Sequence, residues 1–463
     1  MSAAGIEAGV ARLRADGSGE EVVAAFRHYA GQLAAGATGL LREADIEPVQ
    51  TLPDADELPD PGPQAGELLD ATVVIKLNGG LGTSMGMTRA KSLLEVKDGF
   101  SFLDIAAAQV ERLRERFADT APRVPLVLMN SFATRADSLA ALAGHDGLSA
   151  DLPADIVQSR VPKLLDDGSL NPVDWPADPA LQWAPPGHGD LYPALVSSGL
   201  LAALLDRGYR YAFVSNADNL GAVLDPRILG WFAAAAVPFA MEVADRTPAD
   251  RKGGHLARRP GGGLLLREVA QTDPQDLEAF QDIARHRFFN TNSIWLDLRE
   301  LAAVLDRDGF LALPLIVNRK TVDPADPSSP AVIQLETAMG AAISAFPGAQ
   351  AFRVPRSRFA PVKTTDDLLV LRSDAYVLDA LARLVSAPGR SAAAPLVRLD
   401  PEHFRLVAGF DARFPSGAPS LVACEALTVR GDVRFGAGVV VRGDVVVGEP
   451  GAALVIPDGA VLG

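Results

Sequence analysis

The sequence is poor in cysteine and lysine, has no excess of basic charge, and contains no long apolar run. One cysteine, Cys424, in 463 residues excludes an internal disulfide framework and any metal site built from several thiolates. No stretch approaches the roughly 18 apolar residues that a membrane-crossing helix requires. The opening MSAAGIEAGVARLRADG lacks the basic-then-apolar order of a secretion signal. The expected compartment is therefore a reducing cytoplasm. A net charge of −15 argues against a nucleic-acid partner, which needs a basic footprint. It leaves room for a small anionic substrate, because individual loops can be basic in an acidic chain.

Only seven of the 43 Lys and Arg residues are lysine: Lys76, Lys91, Lys97, Lys163, Lys252, Lys320 and Lys363. A lysine supplies a compact point charge where a guanidinium fork does not fit. Lys91 and Lys363 fall inside motif-like stretches, which makes them functional candidates.

The length implies two or three domains. Residues 5 to 46 have the apolar spacing of two helices, and the Pro- and acid-rich stretch 52 to 68 has linker composition. From residue 71, short β-branched runs (ATVVIKL, VPLVLMN, YAFVSN) alternate with Ala/Leu-rich helical stretches. That alternation predicts an α/β fold with a mixed, mainly parallel nucleotide-binding sheet flanked by helices. RPGGG is expected at a hairpin tip, VDPADPSSP as a loop, and LLLREVAQ (264–271) as a strand. Near 385 to 398 the composition returns to that of a linker. The expected division is residues 1–68, helical segment and linker; 69–384, catalytic domain; and 385–463, linker and tail.

In the tail, apolar residues recur every six positions, at Leu427, Val433, Val439 and Val445, and again at Val429, Phe435, Val441 and Val447. Such a period with glycine at the corners predicts a C-terminal hexapeptide-type parallel β-helix. A short β-helix leaves strand edges to be capped or paired, so self-association through the tail is expected.

The glycine loop KLNGGLGTSMGMTRAK (76–91) follows an apolar strand. It lacks the GxxxxGK[ST] of a P-loop, and Met85 stands where GxGxxG needs glycine. What remains is an expected nest of backbone N–H groups, with Gly79, Gly80, Gly82 and Gly86 at positive φ and Lys91 able to reach a polyphosphate. In WAPPGHGDLYPAL, His188 sits between two glycines, and Asp190 is expected to cap the next helix. In SNADNLG, Asp218 follows a strand, where a carboxylate can meet Mg²⁺. FFNTNSIW sets Asn290 and Asn292 on one face of a strand-like run, positioned to read sugar hydroxyls. Glu268 sits within the otherwise apolar expected strand LLLREVAQ and, buried there, must be bonded to a partner. PRSRFAPVKTTDDLL gathers Arg356, Arg358 and Lys363 before a Thr364-x-x-Asp367 capping box, an arrangement that favours an anion.

These stretches, with KGGHL and IQLETAMGAAI, resemble the eukaryotic-type UTP–glucose-1-phosphate uridylyltransferases (UDP-glucose pyrophosphorylases) over roughly residues 70 to 380. The resemblance implies that Leu77, Asn78, Gly79 and Gly80 hold the uridine, and that Gln158 and Gly187 meet uracil. It implies that Lys91 and Lys363 contact the phosphates and that Asp218 takes Mg²⁺, with Asn216 and Ala217 beside the nucleotide. His188 would contact the phosphate of the sugar phosphate, and Gly254, Glu268, Asn290 and Asn292 would face glucose. Two departures stand out: Ser293 where the family pattern has Asn, and Lys163 where it has Arg. Both leave the phosphate machinery untouched and put sugar choice in question. The competing expectations are a UDP-sugar pyrophosphorylase of different specificity and a non-catalytic nucleotide-sensing scaffold.

Overall fold

The computed structural model describes residues 2–145, 147–390 and 394–463. A ten-stranded sheet forms its centre: β1 Glu47–Pro48, β2 Thr72–Asn78, β3 Leu126–Asn130, β4 Asp155–Val157, β5 Tyr211–Asn216, β6 Phe239–Asp245, β7 His255–Arg258, β8 Leu264–Arg267, β9 Phe288–Asp297 and β10 Gln350–Arg353. The order β1-β7-β9-β5-β2-β3-β4 runs across it, with β8 on β7, and with β6 joining β9 to β10.

The residues of β2, β3 and β5 alternate between two apolar layers, as a period-2 strand covered on both faces must. Val73, Ile75, Val127, Met129, Ala212 and Val214 enter one core. Val74, Leu126, Leu128, Tyr211 and Phe213 enter the other. Helices Leu191–Ser197, Leu200–Asp206 and Leu298–Asp308 cover the first face. Helices Phe102–Arg116 and Pro226–Ala234 cover the second.

The β5-β2-β3-β4 portion is parallel. Beyond β5 the expectation of a mainly parallel sheet fails, because β9 runs antiparallel to both β5 and β6. The RPGGG hairpin is present, joining β7 to β8. The strand expected over 264–271 stops at Arg267, because Glu268 caps a 3₁₀ turn, Val269–Gln271. The two N-terminal helices, Ser2–Ala15 and Glu20–Ala34, pack with Leu164, Leu315, Ile333 and Leu335.

In the tail, all eight hexad residues of the two registers are buried. Their strands pair in parallel as three separate small sheets. Cys424–Val429 lies between Leu396–Arg398 and Gly443–Val447; Asp432–Phe435 joins Ala453–Ile456; Val440–Val441 joins Val461–Leu462. No apolar gap separates the tail from the rest. Leu427 and Val433 share one core with Leu368, Leu369 and Phe102. Residues 391–393 of the expected linker lie outside the described residues. Among those described, no helix is long and apolar enough to cross a membrane.

Candidate active site

The C-terminal ends of parallel strands in an open α/β sheet open onto a crevice, the usual ligand position. Here the loops after β2, β3, β4 and β5 surround a cleft of about 640 Å³, within the range of small-molecule sites. Leu77, Asn78, Gly79, Gly80, Lys91, Gln158, Gly187, His188, Asn216, Ala217 and Asp218 all line it. Sequence positions spanning more than 140 residues thus meet at one opening.

The glycine loop departs from the expected nest. Only Gly82 and Gly86 have positive φ, at 63° and 76°. Gly79 is close-packed instead: a Cβ there would lie 3.0 Å from Gln158 Oε1, a tight contact with the end of that side chain. A Cβ on Gly80 would meet nothing within 4 Å. Asn78 is buried, and its amide donates to Asn130 Oδ1 and Ser138 Oγ, both at 2.8 Å. Its side chain therefore braces the loop, while the residue also lines the cleft. Lys91 folds back over the loop, with its backbone N–H donating to Gly80 O at 3.0 Å.

The Lys91 ammonium joins three loops. It donates to Asp218 Oδ2 at 2.7 Å and to the carbonyl of Val362. Asp218 is held by the turn after β5, where the Ala217 N–H donates to Leu77 O at 3.0 Å. Asn219 ties that turn to the 355–363 loop, donating to Arg358 O at 3.1 Å and accepting from Ala360 N at 2.9 Å. Residue 363 is thereby brought beside the cluster. Its side chain is exposed and its ammonium sits 5.9 Å from the Phe359 ring centre, outside the cleft lining. The helix it precedes has the expected capping box, and the Lys363 N–H also donates to Asp367, at 2.7 Å.

Arg356 and Arg358 are not the free anion patch that the sequence suggested. Arg358 is committed inward to the fully buried Glu242, at 2.6 and 2.9 Å, and to Val223 O. Arg356 pairs with Asp250 at 3.0 Å. Below them Lys76 donates to Ser215 Oγ and Ala222 O, both at 2.8 Å. Burial, with Arg358 nearby, pushes the Lys76 ammonium down to about 7. Sequence reading missed Glu242. An acid in mid-strand, flanked by Met241 and Val243, was its one signal, since a buried carboxylate demands a cation.

His188 is fixed on one side. Its Nδ1 accepts the N–H of Met339 at 2.9 Å, so Nε2 carries the proton in the neutral ring. Burial pushes the imidazole down to about 4, which keeps it neutral near pH 7. Gly187 has a φ of 78°, and a Cβ there would stand 2.4 Å from Thr337 O. Gln158 donates to Gly187 O at 3.0 Å. Asp190 does not cap the following helix; it accepts the Ser159 N–H at 2.6 Å. Burial drives its carboxyl up to about 7.

Gly254, Glu268, Asn290 and Asn292 form a second group outside that cleft lining. A Cβ on Gly254 would sit 2.4 Å from Glu268 Oε2, so glycine is what admits the carboxylate. Burial raises the Glu268 pKa, partly offset by a hydrogen bond to Asn290. Asn290 and Asn292 do not simply share a strand face. The register of β6 against β9 shifts between Glu242 and Val243, and Asn292 adopts φ 59°. Asn292 Nδ2 then donates to Asn216 Oδ1 at 2.7 Å, which links the two groups. Ser293 Oγ is buried there without a partner.

The donor set suits one hard divalent ion with few protein ligands. No cluster of three or more His, Cys, Asp or Glu occurs among the described residues. Asp218 offers a single carboxylate, and Mg²⁺ habitually fills its remaining positions with phosphate oxygens and water.

Known proteins match this arrangement along nearly its whole length. The family model described as UTP–glucose-1-phosphate uridylyltransferase matches residues 23–442. The UTP–glucose-1-phosphate uridylyltransferase of Solanum tuberosum is 42% identical over 399 residues, 86% of this chain and 81% of its own. A probable enzyme of the same name from Schizosaccharomyces pombe is 40% identical over 410 residues, 88% of this chain and 79% of its own. A UDP-glucose pyrophosphorylase variant from Leishmania major, solved with UDP-Glc, superposes with TM-score 0.92 at 44% identity, covering 99% of this chain and 98% of that one. A Trypanosoma brucei structure described as UDP-glucose phosphorylase gives 0.88 at 45%, with the same coverage. The chain belongs to the UTP–glucose-1-phosphate uridylyltransferase family.

Proposed function

We propose that this protein joins glucose 1-phosphate to the uridylyl group of UTP, forming UDP-glucose and releasing pyrophosphate. A phosphate oxygen of the sugar phosphate attacks the α-phosphorus of UTP, and the bond from that phosphorus to the oxygen bridging to the β-phosphate breaks. That nucleophile needs no base, since its second pKa is about 6. The task is to make two anions meet. Positioning lowers such a barrier by roughly 7 to 11 kcal/mol, and fixed positive groups stabilise developing oxyanions.

The observation that carries this reading is the Lys91 ammonium, held between Asp218 and the Val362 carbonyl in the nucleotide cleft. Lys91 is assigned to the UTP phosphates, and Lys363, exposed beside it, to the triphosphate from the other side. His188 donates its Nε2 proton to the phosphate of the sugar phosphate without adding charge. Leu77, Gly79 and Gly80 lie along the uridine, with Gln158 and Gly187 at the uracil. Gly254, Glu268, Asn290 and Asn292 bind the glucose. Asp218 would hold Mg²⁺, which when bound supplies charge neutralisation of the phosphates.

The test is pyrophosphate release from UTP crossed against glucose, galactose, xylose and N-acetylglucosamine 1-phosphates, with and without Mg²⁺. Glucose 1-phosphate is expected to lead, and activity to require the metal. A broader sugar range is the second reading, motivated by Ser293, next to Asn292, standing where the resembled family has Asn. UTP binding without pyrophosphate release would instead mark a sensing scaffold.

Residues 69–384 are read as the catalytic unit, and the tail as one short β-helix. Leu427 pairs with Val445, three hexads further on, as successive turns of a three-faced coil require. Its last strands leave Val455 and Val461 exposed, which suits homo-oligomer contacts. Loss of self-association after removal of residues 416–463 would support them. A cytoplasmic location follows from the substrates.

A further inference from the structure

We infer that Phe132 is the base-side wall of the nucleotide cleft, a UTP-binding residue held in place by Arg160 and Trp183. This rests on the reading of the cleft as a UTP site and names a residue that binds there.

Phe132 follows β3 in the loop after Asn130 and is 65% exposed, more than any other phenylalanine among the described residues. A bare aromatic ring in water forgoes the gain of burial. Here it is not loose, and it lines the cleft together with Gln158, Arg160 and Trp183. The Arg160 guanidinium centre lies 5.2 Å from the Phe132 ring centre and 4.6 Å from that of Trp183. Asp16, at the end of the first N-terminal helix, holds the same guanidinium by its edge. It accepts from Nε at 2.9 Å and from Nη2. Two rings and a carboxylate thus fix the plane of Arg160, which in turn supports the phenyl ring.

The charge at this rim is spent. Asp16 neutralises Arg160, so this end of the cleft does not compete with Lys91 for phosphate. What it offers is a flat apolar face, which fits a planar base. Gln158, whose amide can meet the edge of a base, lines the same cleft beside Gly79. Gln158 Oε1 and Ser131 Cβ stand 3.0 and 3.8 Å from the position a Cβ on Gly79 would take. Gln158 also donates to Gly187 O. The division of labour is therefore stacking by Phe132 and edge recognition by Gln158. Stacking on an aromatic ring is tolerant of base identity, so the wall contributes affinity, not choice of base.

The test uses the full chain as wild type, Phe132→Ala and Phe132→Trp. UTP binding is measured by titration calorimetry, with initial rates against each substrate and thermal melting. For Phe132→Ala the expected result is an approximately tenfold rise in both Kd and KM for UTP, with kcat and the glucose 1-phosphate KM within about twofold. The melting temperature should stay unchanged, since the ring is already exposed, and Phe132→Trp should restore UTP affinity. CTP binding should weaken by the same factor as UTP binding. Unaltered UTP affinity in Phe132→Ala would overturn the inference. So would a loss that Phe132→Trp does not repair, or an equal rise in both KM values. A wild-type chain that releases no pyrophosphate but binds UTP, with loss in Phe132→Ala, keeps the wall and overturns the catalytic reading. A wild type that does not bind UTP overturns both.

Discussion

Gly254→Ala puts a single methyl group where the cluster proposed to bind glucose has no room. The added Cβ would fall 2.4 Å from Glu268 Oε2 and 2.5 Å from both Cδ and Oε1, against ordinary contacts of about 3.5 to 4.0 Å. The carboxylate must therefore retreat by roughly 1 Å, because the Gly254 carbonyl is pinned by the Asn290 N–H at 2.9 Å. Retreat breaks the Asn290 contact that partly offsets the burial of Glu268. Overpacking of this kind costs about 1 to 3 kcal/mol, and a misplacement of about 1 Å costs about a hundredfold in rate. The assay is initial-rate pyrophosphate release with each substrate varied in turn, alongside thermal melting. The expected result is a KM for glucose 1-phosphate raised by tens of fold or more, with the UTP KM nearly constant, because Gly254 is not part of the nucleotide cleft lining. An unchanged sugar KM, or equal rises for both substrates, would refute the reasoning.

Asp190→Asn should stabilise the fold at neutral and alkaline pH. The Asp190 carboxyl is raised to about 7 by burial, so its contribution is fully present below the unfolded value of about 3.9 and is lost as pH rises through 7. The variant's advantage should open between pH 4 and 7 and then level off at roughly 3 to 5 kcal/mol, read by urea melts across pH. His188 works in the opposite sense. Its pKa is lowered to about 4, so its contribution is complete above about pH 6.5 and falls away toward pH 4; melts of the Asp190→Asn variant should expose that acid slope. Arg358→Met strands Glu242, whose side chain is fully buried, and should cost about 3 to 5 kcal/mol. Adding Glu242→Gln should recover part of that loss; no recovery would mean that the pair is not what matters there.

Where physics acts locally, the sequence was readable. Both hexad registers of the tail point inward from Leu427 to Val447, and YAFVSN is a strand to the residue. The cleft was legible too, because Lys91, His188 and Asp218 each lie in a stretch whose residue types are odd for structure alone, whereas Gln158, which lines the same cleft, was reached only through the family resemblance. What the sequence concealed depends on distant partners. Arg358 looked like a free cation until Glu242 met it from another strand. Gly79 and Gly80 looked like part of a positive-φ nest, but only Gly82 and Gly86 of the loop adopt that conformation. The Asn292 bulge arises where β9 slips against β6, and no single-strand periodicity encodes a slip. Phe132 reads as ordinary loop hydrophobicity until Arg160 and Trp183 stand beside it.

The most direct test of the charge-gathering account is Lys91→Ala, assayed for kcat/KM in pyrophosphate release and for UTP affinity. The side chain is partly exposed, so the fold should survive with a small change in melting temperature. Removing one preorganised donor to a developing oxyanion typically costs about 10² to 10³ in rate, and a drop of at least that size is expected. Turnover within a few-fold of wild type would contradict the claim that this ammonium, between Asp218 and Val362, brings the phosphates together.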